Sequence, residues 1–357
     1  MTEDQPNVWC LLGRKAGDNT QVRALAEALG FSFTEKHIAA KSWELLPHLL
    51  LKVTLAGIDR AGSSELAAPW PDLVISAGRR NEPVARWIQR QSGGRTRLVH
   101  IGRPWSPLDT WDLVVTTPQY FLPQQANIWH NRLPLHDHNA VSLQAARDRW
   151  RRALGHLPRP WVAVLVGGDS GKFVFTREKG ERLGRLSQGL VQSGGSLLVA
   201  GSPRTPALVM DAVAAELSGP GFIYRWGEEG DNPYLGFLAL ADAFVVTGES
   251  MSMLGEASAT GKPLYIFDVS DGKTAWWQLL HNYRYKPLSH HLAMALAPVR
   301  MRRDVGRIQQ SLVEGGSASW LSETSVLEGE APVAADGDAS RELEETAAAV
   351  RQLVKAR

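Results

Sequence analysis

The sequence predicts an α/β protein built from two domains, each a parallel sheet covered by helices on both faces. Three observations carry that prediction. Short runs of almost wholly apolar residues recur, as strands buried on both faces require. Each run leads through a polar or Gly-containing turn into a segment with apolar residues at helical spacing. The whole series then occurs a second time, after a Pro-rich break near residue 158.

In the first half, Val8–Leu12 is an apolar run followed by the loop 13–20. Val22, Leu25, Ala26 and Leu29 then fall on one helical face, and Gly30 stands where a helix C-terminus favours glycine. Leu73–Ser76 reads as a strand after the Pro71-Asp72 turn, and Arg79–Gln91 as a helix with Val84, Trp87 and Ile88 on one side. Leu98–Ile101 and Leu113–Thr116 are two further strands. Arg132–His136 is extended. Val141–Leu154 is an amphipathic helix with Arg147, Arg149, Arg151 and Arg152 on its outer face.

Pro158 and Pro160 restart the chain. Trp161–Val166 is a strand that runs into Gly167–Lys172, and Lys179–Gln192 is a helix with Leu183, Leu186 and Leu190 aligned. Strands at Ser196–Ala200, Phe222–Trp226, Ala243–Thr247 and Pro263–Val269 alternate with helices at Pro206–Leu217, Tyr234–Leu240 and Leu254–Thr260. Residues 314–345 hold nine acids and one base and read as a solvated loop. Arg341–Val354 is a closing helix with Leu343, Ala347, Val350 and Val354 in register, able to pack on either domain. The division expected is 1–155, 156–330 and a tail of 331–357.

Composition excludes several classes. Lys and Arg total 39 against 37 acids, which is no basic excess for a general nucleic-acid binder. A lone cysteine, Cys10, excludes an internal disulfide framework and a multi-Cys zinc site. His136 with His138, and His290 with His291, lack the i, i+4 spacing of a helical zinc pair. Metal and cofactor are therefore not expected. No run approaches the roughly 20 apolar residues of a membrane span. The opening MTEDQPNVWC lacks the basic-then-apolar pattern of a signal peptide, so the expected location is the cytoplasm.

Ligands of open α/β sheets collect at strand carboxyl ends, beside helix N-termini whose unpaired N–H groups favour phosphate. Gly167, Gly168, Ser170, Gly171 and Lys172 form one such turn. It is one residue short of a Walker A loop, and Phe173 stands where the Mg-binding hydroxyl belongs. It reads either as a phosphate cradle or as a plain tight turn. Ser202 and Arg204 follow the next strand, with Arg204 suited to offset phosphate charge. Trp226 could stack a base or fill the core, and Asn232 lies in the polar turn after it. Ser250, Met251 and Ser252 open a small-residue helix, and Glu256 one turn inside reads either as a carboxylate able to accept both hydroxyls of a ribose or as a solvent-facing helical acid. In the first half GxGxxG is absent. Asp18 reads either as an N-cap or as a general base, with Gly17 and Gln21 beside it. No G-x-S-x-G elbow occurs, which disfavours that class of hydrolase.

Five segments, in order, carry a resemblance. They are Gly17–Gln21 with Leu29-Gly30, Asp112–Pro118, Gly167–Ser170, Gly230–Tyr234 and Thr247–Pro263. Together, over about residues 7–300, they resemble the mitochondrial-fission "elongate mitochondria" family, which has bacterial members. That family looks like part of the GT-B glycosyltransferase superfamily, and the resemblance implies two Rossmann-like domains facing across a cleft. Ala241–Pro263 also resembles the donor-site region of the peptidoglycan UDP-GlcNAc transferase. The likeness implies that Glu256 holds a nucleotide ribose, that Gly167–Gly171 lies near the diphosphate, and that Gly17 and Asp18 face the acceptor. Glu249 and Met251 depart from that transferase, where Gly or Ala is frequent.

The function expected is transfer from a nucleotide sugar, UDP-linked first, to a glycan or lipid-linked acceptor, with Asp18 as base and no metal or nucleic acid. The Arg-rich stretches at 147–152 and 300–307 would allow peripheral contact with anionic lipid of the inner membrane. Two alternatives stand beside it. One is a non-catalytic adaptor that recruits a dynamin-like or other partner to a membrane surface. The other is a sugar-nucleotide hydrolase or epimerase.

Overall fold

The computed structural model describes residues 5–44, 52–136, 140–270, 287–299, 302–328 and 338–355. The chain forms two compact units. The first comprises residues 1–137, 298–303 and 339–357, and the second residues 138–297 and 304–338. Each holds one six-stranded sheet, parallel throughout, so the α/β class and the two Rossmann-like sheets are those expected.

In the first unit the strands are β1 (Val8–Leu12), β2 (Phe33–His37), β3 (Leu73–Ala77), β4 (Arg97–Ile101), β5 (Leu113–Thr116) and β6 (Ile128–His130), in the order β2-β1-β3-β4-β5-β6. Helices α1 (Ala16–Leu29) and α2 (Glu82–Gln91) make the crossovers. Every residue of β1 and β3 is buried, which explains their uninterrupted apolar runs. Helix α1 ends where expected, with Gly30 left-handed at φ 72°. Helix α2 starts three residues later than its apolar spacing predicts, because Arg79 and Arg80 lie in a turn and Pro83 favours the first helical turn. Strands β2 and β6 escape sequence reading. Phe33–His37 is a half-exposed edge strand of mixed polarity, and β6 has three residues.

The second unit opens with α3 (Ala140–Leu154). The sequence-based division at 155 assigns this helix to the first domain. Its Trp150 is buried edge-on against Phe222 and Phe237, both residues of the second unit. There follow β7 (Trp161–Val166), α4 (Arg177–Gly189), β8 (Ser196–Gly201), α5 (Ala207–Ala215), β9 (Gly221–Tyr224), α6 (Tyr234–Leu240), β10 (Ala243–Thr247), α7 (Met251–Ala259) and β11 (Leu264–Phe267). Helices α8 (Pro287–Leu296) and α9 (Gly306–Glu314), the two-residue strand β12 (Ser319–Trp320) and α10 (Glu323–Glu328) complete the unit. Its sheet order is β12-β11-β10-β7-β8-β9, the doubly wound order with its reversal between β7 and β10.

The acidic stretch 314–345 is not simply a solvated loop. Its described part contains β12, α10 and the start of α11 (Asp338–Lys355), while residues 329–337 lie outside the described residues, as does His138. Helix α11 settles its own alternative by returning to the first unit. Ala347, Val350 and Val354 join the core beside Leu25, Leu29 and Leu135. Thr346 and Asn131 bond to each other, and Glu342 accepts the N–H of Arg132 at 2.9 Å. Cys10 is buried in the same core, and burial pushes its thiol up to about 12, where it stays neutral.

His100 on β4 is fully buried beside the Trp111 ring, with Nδ1 3.1 Å from Ser76 Oγ. Burial lowers its pKa to about 3. A histidine kept neutral by folding binds fewer protons than the unfolded chain between that value and about 6.5. Its contribution is complete above the upper limit and lost as pH falls through the window. Urea denaturation should show the protein losing about 3 kcal/mol through this residue between pH 7 and 4. The His100→Gln variant, which does not titrate, should show a shallower slope.

Candidate functional site

The β7/β10 reversal of the second sheet is the place where such a fold opens a crevice at its strand ends. Two residues after β10, Glu249 turns its carboxylate into that crevice and is 3% exposed. Oε1 accepts the Gly168 N–H at 2.7 Å and lies 3.2 Å from Thr247 Oγ1. Thr247 Oγ1 in turn accepts the Gly167 N–H at 2.8 Å. A Cβ at residue 167 would collide with Glu249 Oε1, and one at 168 with the Arg204 carbonyl, so this approach requires both glycines. Arg204 bridges the loops. Its Nη1 donates to the carbonyls of Gly168 and Asp169 at 3.1 Å, and its Nη2 lies 3.8 Å from Glu249 Oε1. Burial raises the Glu249 pKa, opposed first by the Arg204 guanidinium and then by backbone N–H groups. Its other oxygen, Oε2, has no hydrogen-bond partner among the described residues.

The turn 167–172 is thus closed largely on itself. Ser170 and Phe173 exchange backbone hydrogen bonds at 3.0 Å around Gly171, whose φ is 59°. Lys172 is exposed over the Phe173 ring. Asp169 accepts the Phe175 N–H at 2.7 Å. Of the two sequence readings of this turn, the tight turn describes its hydrogen bonding. Ser202 likewise serves its own turn, bonding Thr205.

The N-terminus of α7 differs. Ser250 is its buried N-cap residue, but no side chain caps the helix. Met251 is buried and Ser252 exposed. Among the described residues, the first-turn N–H groups therefore carry the helix dipole without a capping side chain. One turn inside, Glu256 accepts a hydrogen bond from the Tyr234 hydroxyl of α6. Burial pushes the Glu256 carboxyl up to about 7, and the Tyr234 bond partly offsets the shift. The tyrosine hydroxyl moves well upward as well, chiefly by burial, so it remains the donor. Trp226 lies beyond β9 and is 54% exposed, which removes the core-filler reading. Asn232 accepts the Tyr234 N–H at 3.0 Å and so caps α6.

In the first unit, Gly17, Asp18 and Gln21 lie in the first turn and a half of α1. Asp18 and Gln21 line a cavity of about 670 Å³ at the carboxyl end of the sheet. Asp18 is not the N-cap residue, which is Lys15. Its carboxylate lies over Gly78 and 3.8 Å from Lys15 Nζ. Asn19, which sequence reading passed over, holds the Gly13 turn by bonding both its N–H and its carbonyl, at 2.9 and 2.8 Å. Gln21 donates to the Gly17 carbonyl at 3.2 Å. Glu249 was visible in the sequence only as a departure from a transferase pattern, and nothing in its local context signals burial.

The Glu249 contacts predict a measurable loss. Glu249→Ala leaves the buried Gly168 N–H without an acceptor, a cost of about 1–3 kcal/mol. Thermal denaturation should show a lowered midpoint, with Glu249→Gln recovering most of it through the amide oxygen.

An uncharacterised Rickettsia prowazekii protein is 24% identical over 295 residues, 73% of this chain and 83% of that protein. The mitochondrial fission protein ELM1 of Arabidopsis thaliana is 28% identical over 239 residues, 61% of this chain. The match spans a little over half, 56%, of the Arabidopsis protein's length. Among solved structures, the UDP-GlcNAc 2-epimerase of Methanocaldococcus jannaschii shares the fold at a TM-score of 0.53 and 12% identity, over 98% of this chain and 99% of that one. The family model for mitochondrial fission ELM1 matches residues 16–300, and the chain belongs to that family.

Proposed function

We propose that the protein is a glycosyltransferase of GT-B type that takes its sugar from a nucleoside diphosphate, UDP first. The observation that carries this reading is the uncapped N-terminus of α7, with Glu256 one turn inside it and steadied by Tyr234. Helix N–H groups suit a diphosphate, and a carboxylate at that depth suits the paired hydroxyls of a ribose. Ser250 and Ser252 flank the phosphate position, Arg204 supplies positive charge to the departing diphosphate, and exposed Trp226 offers a face for the base. Gly167, Gly168, Ser170, Gly171 and Lys172 frame the site through the Glu249 contacts more than through free backbone donors.

The acceptor, a glycan or lipid-linked glycan, belongs to the first unit in this reading. Asp18 removes the proton from its attacking hydroxyl, with Gly17 and Gln21 shaping the turn. No metal is required, because the leaving diphosphate is met by Arg204 and the helix dipole. The exposed arginines of α3 fit a peripheral contact with anionic lipid. No helix among the described residues is long and apolar enough to cross a membrane.

The adaptor reading draws its support from the family's connection with mitochondrial fission. Calorimetric titration with UDP and UDP-sugars separates the two. Absence of binding at about 1 mM removes the transferase reading and leaves the adaptor. If UDP binds, Glu256 must be ionised to accept two hydroxyls. Affinity should therefore rise with pH from 6 to 8, through the raised pKa of about 7. The Glu256→Gln variant should bind about tenfold more weakly at pH 8 and show no such rise.

A further inference from the structure

The first-unit cavity carries a charge pattern that the chain as a whole does not. Arg14 and Lys15 reach it from the turn after β1, Arg79 and Arg80 from the turn after β3, and Arg103 from the turn after β4. Lys41 and Arg303 add two more cations to the lining, while Asp18 is the acid among the lining residues. Behind the wall, Glu44 accepts from both Arg79 and Arg80, at 3.1 and 2.8 Å. Among the described residues seven cations thus face two carboxylates, in a chain whose formal charge is +2 overall. Like charges gathered in a concave wall repel one another and focus a positive potential into the space they enclose.

These cations are held in place. Arg79 lies over the Trp105 ring at 4.9 Å. Arg103 donates to the Arg302 carbonyl at 2.9 Å and lies over Tyr120, and Arg303 donates to Gln119 at 2.9 Å. The turn that carries Arg103 is fixed by fully buried Glu82, which accepts the N–H groups of Trp105 and Ser106 at 2.8 and 3.0 Å. The cavity sits at the β1/β3 reversal of the first sheet, and its volume is in the range of small-molecule sites.

A second feature is independent of charge. Asn81 and Thr116 line the same cavity at 3% and 1% exposure, and each has a buried polar atom without a hydrogen-bond partner among the described residues. The Asn81 amide is oriented unambiguously, since Nδ2 donates to the carbonyls of Leu11 and Ala77 at 3.0 and 3.2 Å. Its Oδ1 is therefore an acceptor that lacks a donor. An unpaired buried polar atom is unfavourable, and a ligand hydroxyl would remove that cost.

Cations alone would suit any anion. Cations beside an acceptor and a threonine hydroxyl suit an anion that also carries hydroxyls. We infer that the first-unit cavity binds a sugar phosphate, its phosphoryl group among Arg14, Arg79 and Arg103 and its hydroxyls toward Asn81 and Thr116. Arginine forks match phosphate oxygens in pairs, which makes them stronger than point charges here. That this ligand is the acceptor rests on the glycosyltransferase reading, whereas its binding does not. The same chemistry arises in a free sugar phosphate and in the head of a polyprenyl phosphosugar.

The test is calorimetric titration of the full chain with glucose 1-phosphate, and separately with a polyprenyl phosphoglucose in detergent micelles, against glucose and empty micelles as controls. Binding of the free ester identifies a soluble ligand, and binding of the lipid form alone identifies a lipid head. Either supports the inference, and binding of neither at about 10 mM overturns it. Arg14 is exposed and pairs with no carboxylate among the described residues, so Arg14→Gln should leave the thermal midpoint unchanged or slightly raised. Arg14→Gln combined with Arg79→Gln should weaken whichever ester binds by about tenfold or more. Equal affinity in that variant overturns the inference too. Glu256→Gln, in the other unit, should leave ester binding unchanged. Loss of UDP binding alone would therefore count against the donor site and not against this one.

Discussion

A parallel sheet whose crossovers change direction leaves a gap at the reversal, where loops from two neighbouring strands part company. Both sheets of this chain contain such a gap, and the rest of the structure follows from how each is occupied. In the second unit a protein carboxylate enters it. Glu249 accepts the Gly168 N–H, meets Thr247 and Arg204, and fits only because residues 167 and 168 lack side chains. In the first unit the corresponding gap is walled by arginines and lysines. One gap is electrostatically closed by the chain itself, and the other is built to receive charge from elsewhere.

This difference bears on how an anion is recognised. A glycine turn binds phosphate through backbone donors only while those donors are unengaged. At 167–172 the N–H groups of Gly167, Gly168 and Ser170 already have acceptors. The α7 N-terminus offers donors that are not so engaged among the described residues, with Glu256 and Tyr234 behind them. In the proposed reading, a carboxyl pushed up to about 7 at the back of a positive helix end would make nucleotide recognition there depend on pH in a way that backbone recognition would not.

The sequence disclosed the fold because strands buried on both faces must be continuously apolar, and β1, β3, β7 and β8 are. It hid β2, because an edge strand may carry Thr34, Glu35 and Lys36. It hid the destination of the last helix, because an apolar face is read from periodicity but its partner is not; only the Leu135 and Asn131 contacts identify the first unit. Site legibility followed the same division. Glu256 was legible from its place one turn inside a small-residue helix. Glu249 was not, since a carboxylate in a polar turn ordinarily points to water and its burial depends on two glycines about eighty residues earlier. The cationic cavity was also invisible, because its charges come from three separate strand ends and from Lys41 and Arg303, each in a segment unremarkable in composition.

The scarcity of net charge in the whole chain sharpens that last point. A protein with 39 basic and 37 acidic residues has carboxylates enough for its cavity cations, and two pairs away from the cavity are close. Arg23 takes Glu35 as a two-bonded partner, and Arg97 takes Asp112. Around the cavity the described carboxylates are outnumbered: Glu44 is shared between Arg79 and Arg80, and Asp18 lies 3.8 Å from Lys15. Like charges gathered in a half-enclosed wall are unfavourable to folding, as are the buried atoms of Asn81 and Thr116 beside them, which have no hydrogen-bond partner among the described residues. Local rules broken together at one place, in a fold that obeys them elsewhere, mark a surface shaped for a ligand and not for stability. The first unit therefore contributes more than a scaffold for the second: its own chemistry selects what it binds.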